Sequence, residues 1–422
     1  MGIITIASNK GGTGKTLITT EMAYLLSEDG PSCIIDIDPS AKVHVPILNF
    51  LDWNHKINIF GEEKRPHLGL YMHSVDAYYK LKNDHIKAIN LLEKDIEEAK
   101  KNSAKEEVSE FEELLRKREK SLIDMERIKP CLEDYVMPTQ KENFKIIRGP
   151  DIESKDEKKF VERYNLSKEP QEHINYFFDD IKKNLTKHYK YIILDAPAGK
   201  DKIVIDAMNI ATKYRIIVME NKAASLKDAR ELAEIFVDRK LNDLFNDERY
   251  IKKAISKINN GKFSYDTYLK LIDHYKKISS ELTQLKTVKE DKIGEIKIKE
   301  IEKEKEKEKD RIISFLKDIP EIKETTKIWA LPNKVNPGDT NLAEDYYWNL
   351  KEAVEKRGGN IYTPGKNGGI IYFEESKKFK KAEENYVVYC SLKWPLWGNG
   401  LKNQLKKDVE YIKSGSTIEG KF

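Results

Sequence analysis

Lys10-Gly11-Gly12-Thr13-Gly14-Lys15-Thr16 is the stretch whose residue types and spacing could do chemistry most directly. Its glycines let backbone N–H groups crowd around an anion, and a helix N-terminus behind them adds positive potential. The chemistry indicated is polyphosphate binding, with Lys15 facing the β- and γ-phosphates and the Thr16 hydroxyl placed for Mg²⁺. Two further stretches end apolar runs in carboxylates: Cys33-Ile34-Ile35-Asp36-Ile37-Asp38-Pro39 and Tyr191-Ile192-Ile193-Leu194-Asp195-Ala196-Pro197. Ligands of open α/β sheets bind outside the carboxyl ends of the strands, which is where these aspartates would lie. Asp195 would hold Mg²⁺ through water, because that ion dehydrates reluctantly. An aspartate at a strand end can also be a plain turn or cap residue, and lysines can flank a glycine turn by chance. The strand before the loop, the helix after it and the Lys-Thr ending favour phosphate binding.

Such a site needs strands and helices to present it. Ile3, Ile4 and Ile6 read as a buried strand before the loop, and residues 17–26 carry apolar side chains at helical spacing. Pro31 breaks that helix, and the Asp36–Asp38 strand follows. Residues 144–148 and 214–219 read as further strands. Ile174, Phe177, Phe178, Ile181 and Leu185 make one helical face, and Ser225-Leu226-Lys227-Asp228 reads as a capping box opening the next helix. After Pro320 come a strand over residues 327–333, a helix over 341–357 and a short strand at Ile361. A helix over 374–384, a strand over 386–392 and an amphipathic helix over 400–413 close the chain. Strands alternating with helices predict an α/β fold: a doubly wound, mostly parallel sheet. Residues 40–75 read as irregular, and their Trp53, His55, His67 and His73 have no metal-ligand spacing.

Two blocks break this pattern. Ile86, Ile89, Leu92, Ile96 and Ala99 recur every three or four residues, and after Asn102-Ser103 the period resumes at Val108, Phe111, Leu115, Leu122 and Met125. Residues 82–128 are therefore expected to form a coiled-coil hairpin insertion, each arm about 36 Å long, or else a helical pair lying on the body. In residues 246–319, Tyr268, Leu271, Ile272, Tyr275, Ile278 and Leu282 share a face, followed by a Lys/Glu repeat over 302–309. This second charged helical insertion has too few apolar residues over 286–311 to fold alone. It is expected to lean on the first hairpin or on a dimer partner. What remains, residues 1–81, 129–245 and 320–422, has the size of one domain.

Of 422 residues, 39% are hydrophobic and 35% charged, more charge than ordinary domains carry, so much of the chain must be solvated helix. A net charge of +4 argues neither for nor against nucleic acid. Cys33, Cys131 and Cys390 are far apart, which argues against zinc, iron–sulfur clusters and a disulfide framework. With no apolar run near membrane length and a strand at the very start, the expected location is cytoplasmic.

Lys10 separates this loop from an ordinary phosphate loop. KGGTGKT resembles the deviant Walker A motif of the ParA/MinD family, the SIMIBI-class P-loop ATPases. In that family the first lysine reaches across a sandwich dimer to the partner's nucleotide, a role the resemblance gives to Lys10. Leu17 stands where many members carry a second Thr or Ser. The Asp36-Ile37-Asp38-Pro39 stretch resembles the family's second motif, which makes Asp38 the residue that orients the attacking water, although Ser40 stands where Gln is frequent. The Asp195-Ala196-Pro197-Ala198-Gly199 wording resembles Walker B on the MinD side of the family. Asn333-Lys334 resembles the base-contacting segment.

The resemblance implies a Mg²⁺-dependent ATPase with ATP and Mg²⁺ as ligands. Its catalytic residues would be Lys10, Lys15 and Asp38. Nucleotide would be bound by Lys10, Gly11, Gly12, Thr13, Gly14, Lys15, Thr16 and Asn333, and metal by Thr16 and Asp195. ATP would close a homodimer and hydrolysis would open it, in order to position or segregate cargo. DNA partition comes first, with non-specific DNA, contacted by Lys402, Lys406, Lys407 and Lys413, and a DNA-bound adaptor protein as partners. One alternative is a MinD-like spatial regulator at a membrane or on division or surface machinery. The membrane is the weaker surface, because Trp394-Pro395-Leu396-Trp397 precedes a helix with a core-packing pattern. Another is a nucleotide-gated scaffold with negligible turnover. In each case the helical insertions would bind a partner protein.

Overall fold

The apolar runs become strands buried on both faces, as parallel sheets require. The structure is a computed structural model that describes residues 1–39, 51–59, 61–102, 105–151, 154–258, 263–287, 292–333, 340–361 and 410. Apart from residue 410, the expected helices and strand over 374–413, with their four lysines, lie outside the described residues, as do Ser40 and Lys334. The fold is a mostly parallel eight-stranded sheet with flanking helices, whose strands lie in the order Asn360–Ile361, Lys327–Asn333, Tyr214–Glu220, Gly2–Ser8, Tyr191–Ala198, Ser32–Asp36, Phe144–Ile147, Met137–Pro138. The chain forms two compact units, one holding Met1–Ile4 and Thr16–Pro197, the other Thr5–Lys15 and the described residues from Ala198 on.

β1 (Gly2–Ser8) is buried along its whole length and belongs partly to each unit. In the first unit, α1 (Lys15–Leu26) leads to β2 (Ser32–Asp36). An antiparallel ribbon, β3 (Ile57–Ile59) with β4 (Glu62–Lys64), precedes the helices α2 (Leu68–Lys101) and α3 (Lys105–Met125). After β5 (Met137–Pro138) and β6 (Phe144–Ile147) come α4 (Val161–Tyr164) and α5 (Gln171–Asp180). A π turn over Ile181–Leu185 and the short α6 (Thr186–His188) lead into β7 (Tyr191–Ala198). β2 lies parallel between β6 and β7, and β5 pairs antiparallel with β6. The register sets Ile35 beside Leu194 and Asp36 beside Asp195, so the carboxylates gather at one end of the strands.

Residues 40–75 are not all irregular. They hold the β3–β4 ribbon, and α2 already begins at Leu68. That helix runs unbroken past residue 82, so the composition boundary drawn there falls inside a helix. What changes along it is burial: Leu68, Leu70, Tyr71, Met72, Val75 and Tyr78 are buried, whereas beyond them only Ile96 and Ala99 are. In α3, Met125 alone is buried. α2 is capped by Asn102 and α3 starts at Lys105, on either side of the interruption in the apolar period.

The start of α2 is fixed by polar groups. His67 is its N-cap, and the ring Nδ1 accepts a hydrogen bond from the Leu70 N–H at 3.0 Å. The Arg148 carbonyl accepts from the Leu68 N–H at 2.8 Å. Arg148 itself is fully buried and forks onto both carboxylate oxygens of Glu157, each at 2.7 Å. Burial pushes the Glu157 carboxyl up, but the bonds and charge of Arg148 outweigh it and hold the group below its usual range.

In the second unit, α7 (Lys202–Ile210), β8 (Tyr214–Glu220) and α8 (Ala223–Phe245) are followed by α9 (Glu248–Ser256), α10 (Tyr265–Thr287) and α11 (Lys292–Lys317). Then come α12 (Pro320–Thr325), β9 (Lys327–Asn333), α13 (Thr340–Lys356) and β10 (Asn360–Ile361), with β9 parallel to both β8 and β10. α8 begins two residues before the expected capping box. The Ser225 hydroxyl accepts from the Glu220 N–H at 2.9 Å and ties strand to helix instead of capping.

α10 and α11 pair as a second hairpin around Ile278, Leu282 and Ile301. The outside surface that this hairpin was expected to need is α8 of its own unit. α11 packs on α8 and α12, with Ile312 and Leu316 fully buried. Near this seam Arg357, just past α13, pairs with Asp238 of α8 at 2.5 Å.

The cap of α2 gives a pH test. Burial and then the charge of Arg148 lower the His67 imidazole from an ordinary 6.5 to about 3, so the folded chain keeps Nδ1 free to accept. Unfolded chains bind that proton below about pH 6.5 while the folded chain does not, so stability falls as pH falls from 6.5 toward 3. His67→Asn keeps a side-chain acceptor at the cap. Relative to this variant, the wild type should lose up to about 1.4 kcal/mol per pH unit below 6.5. Urea unfolding at pH 7.5, 6 and 5 measures the difference, and parallel curves would contradict the assignment.

Candidate functional site

In the second unit, β1 ends at Ser8, whose hydroxyl donates to the Lys10 carbonyl at 2.8 Å and starts the turn. Gly12 and Gly14 have φ of +78° and +86°, a left-handed region that side chains other than glycine resist. A Cβ on Gly11 or Gly12 would meet nothing within 4 Å, so the loop borders an open cradle that bare backbone lines. That is what close approach of a polyphosphate requires. Gly14 is different, because a Cβ there would run into the side-chain amide of Asn333. Asn333, at the end of β9, donates its Nδ2 to the Thr13 carbonyl at 2.7 Å. The residue expected at a purine base thus also pins the phosphate loop. Its own carbonyl accepts from the Asn221 N–H at 3.3 Å, which ties the segment after β8 to the same point. Thr13 is buried and its hydroxyl has no hydrogen-bond partner. Lys10 is exposed, while Lys15 is 6% exposed.

In the first unit, α1 carries Thr16 in its first turn. Its hydroxyl donates to Asp195 Oδ2 at 2.7 Å. One turn on, the Thr19 hydroxyl donates to Asp195 Oδ1 at 3.0 Å, and Thr20 Oγ1 donates to the Thr16 carbonyl at 2.9 Å. Asp195 has no exposed surface. Beyond β2 the Ile37 N–H donates to the Asp195 carbonyl at 3.1 Å and the Asp38 N–H to Asp36 Oδ1 at 3.2 Å. Asp36 and Asp38 are buried as well, at 0% and 3% exposure. β2 and β7 therefore bring Asp36, Asp38 and Asp195 to one sheet end, and α1 presents Thr16 there.

A hydroxyl and a carboxylate joined this way fit Mg²⁺, a hard ion that takes oxygen ligands and keeps several waters. Thr19 is the site residue that sequence reasoning missed. The available signal was its spacing, because residues i and i+3 share a helix face and Thr16 already had a role.

The AAA_31 family profile, described as an AAA domain, matches residues 1–247 of the chain. No curated protein matches it. Among solved structures, apo McdA of Cyanothece shares 13% identity over 98% of both chains with a TM-score of 0.44. Pyrococcus horikoshii MinD with Mg-ADP shares 14% over 99% of both chains, also at 0.44. A Borrelia burgdorferi plasmid partition protein shares 19% over 57% of this chain and 74% of its own, at 0.30. Among the described residues no helix is long and apolar enough to cross a membrane.

Gly14→Ala should damage the loop twice, by its left-handed φ and by evicting the Asn333 amide from Thr13. Together these are worth about 1.5–2 kcal/mol, so the Kd for ATP should rise roughly tenfold or more. Isothermal titration reads this directly. Unchanged affinity would show that Asn333 does not set the loop.

Proposed function

The chain belongs to the AAA_31 family, the ParA/MinD type of P-loop ATPase, and on that premise we propose that it is an ATP-driven dimerisation switch that positions cargo. The observation that carries this reading is the buried Asp195 carboxylate held by the hydroxyl of Thr16, the residue that follows the loop lysine. In this reading Gly11, Gly12, Thr13 and Gly14 wrap the phosphates with backbone N–H groups, and Lys15 neutralises the β- and γ-oxygens. Asn333 steadies the loop beside the base. Thr16, and Asp195 through water, would hold Mg²⁺, which supplies charge neutralisation to the polyphosphate. Asp38 orients the attacking water, and the exposed Lys10 reaches the nucleotide of a second copy of the chain.

ATP binding closes the homodimer and hydrolysis releases it. DNA is the cargo proposed first, held without sequence preference through Lys402, Lys406, Lys407 and Lys413, with an adaptor protein on the DNA stimulating turnover. The exposed lengths of the α2–α3 and α10–α11 hairpins, proposed as insertions in the ATPase core, supply surfaces for such a partner. They lie outside the loop, the carboxylate cluster and the strands that support them.

Asp38→Ala separates binding from turnover. The phosphate and metal contacts stay, so the variant should bind ATP and form the dimer, while hydrolysis falls by roughly 10²–10⁴-fold for loss of a water-orienting group. Light scattering reports the dimer and multi-turnover phosphate release reports hydrolysis. Wild-type turnover in the variant, or no ATP-dependent dimer in the wild type, would contradict the proposed switch.

A further inference from the structure

Thr19 sits one helical turn beyond Thr16 on the same face of α1, has no exposed surface, and donates its hydroxyl to the second oxygen of Asp195. The side-chain oxygens of this aspartate are thus shared between two threonines, Oδ2 with Thr16 at 2.7 Å and Oδ1 with Thr19 at 3.0 Å. We propose that Thr19 is a positioning residue for the divalent-cation site: it locks the plane of the Asp195 carboxylate so that Oδ2 stays turned toward the Thr16 hydroxyl. The inference rests on the nucleotide-binding reading given above.

The physical argument concerns the freedom of the carboxylate. The terminal torsion of an aspartate is broad, with no sharp staggered wells. One hydrogen bond to Oδ2 leaves the group free to swing about that contact. A second donor on Oδ1 defines the plane. Asp36 lies directly beside Asp195 in the sheet register and is itself fully buried, so an unrestrained carboxylate would turn next to another acid. Each threonine hydroxyl has a single proton to give. That of Thr19 goes to Asp195, as does that of Thr16. A group that orients a metal-associated ligand without touching the metal tunes its affinity, typically by 10–100-fold.

The position also separates two properties that a purely structural hydroxyl would affect together. The phosphate-binding backbone precedes α1, whereas Thr19 acts only on the carboxylate. Its loss should therefore weaken the cation and spare the phosphate grip. Thr19→Val keeps the β-branched shape and removes the donor, while Thr19→Ser keeps the donor and removes a methyl group.

The test uses the full chain with ADP, taking Mn²⁺ as the probe and reading bound ion by its paramagnetic resonance signal. ADP affinity in EDTA is measured alongside by calorimetry. Thr19→Val should raise the Kd for Mn²⁺ about tenfold. Thr19→Ser should stay near the wild type, and ADP affinity in EDTA should be the same in all three proteins. If Thr19→Val does not fold, Thr19→Ala carries the same expectation. Equal Mn²⁺ affinity in the hydroxyl-free variant would overturn the inference, as would an equal loss of ADP binding in EDTA. A wild type that binds no ADP would instead overturn the nucleotide reading itself.

Discussion

A carboxylate cannot be taken out of water unless its oxygens find donors, and Asp195 has no exposed surface at all. One helix supplies a donor to each of its two oxygens. α1 puts two threonine hydroxyls one turn apart, and both donate to Asp195 of β7. This constraint fixes how α1 sits against β7, and through the Asp36–Asp195 register it fixes β2 as well. Asp38 follows two residues later, its N–H held by Asp36. The acidic end of the first unit is thus one connected arrangement, in which moving any strand would strand a buried charge.

In the second unit a comparable constraint is made by backbone. Gly14 can take its left-handed φ and admit the Asn333 amide only because it lacks a Cβ. Asn333 ends β9, and β9 is the strand that follows α11 and α12 in the chain. α11 of the second hairpin packs on α8, and its Ile312 and Leu316 are fully buried, so the helix that leads toward the loop-pinning residue is itself anchored in the body of its unit. The first hairpin is built differently. Its root is buried beneath a His67 cap and a buried Arg148–Glu157 pair, while most of its length is exposed.

Much of this was legible in the residues because phosphate chemistry leaves few choices. Only glycine tolerates the loop's backbone, and only an apolar run ending in Asp makes a buried strand with a carboxylate at its tip, so the loop, β2, β7 and the parallel sheet could be read directly. Thr19 was hidden because a threonine inside a helix has no pattern of its own, and its meaning depends on a residue 176 positions away. The start of α2 was hidden because His67, Leu68, Gly69 and Tyr71 mix polar, small and aromatic types without a clean period, and tertiary packing rather than propensity makes them helical. The seat of the second hairpin on α8 was hidden for a related reason. A Lys/Glu repeat shows that a helix needs support, but nothing in it names the surface that gives it.

In the proposed switch, Lys15 is the side chain that holds the nucleotide in the loop. Isothermal titration of ATP with Mg²⁺ into the wild type and Lys15→Ala tests this most directly. The account predicts saturable binding near one ATP per chain in the wild type and no detectable heat of binding in the variant. Matching affinities in the two proteins would contradict it.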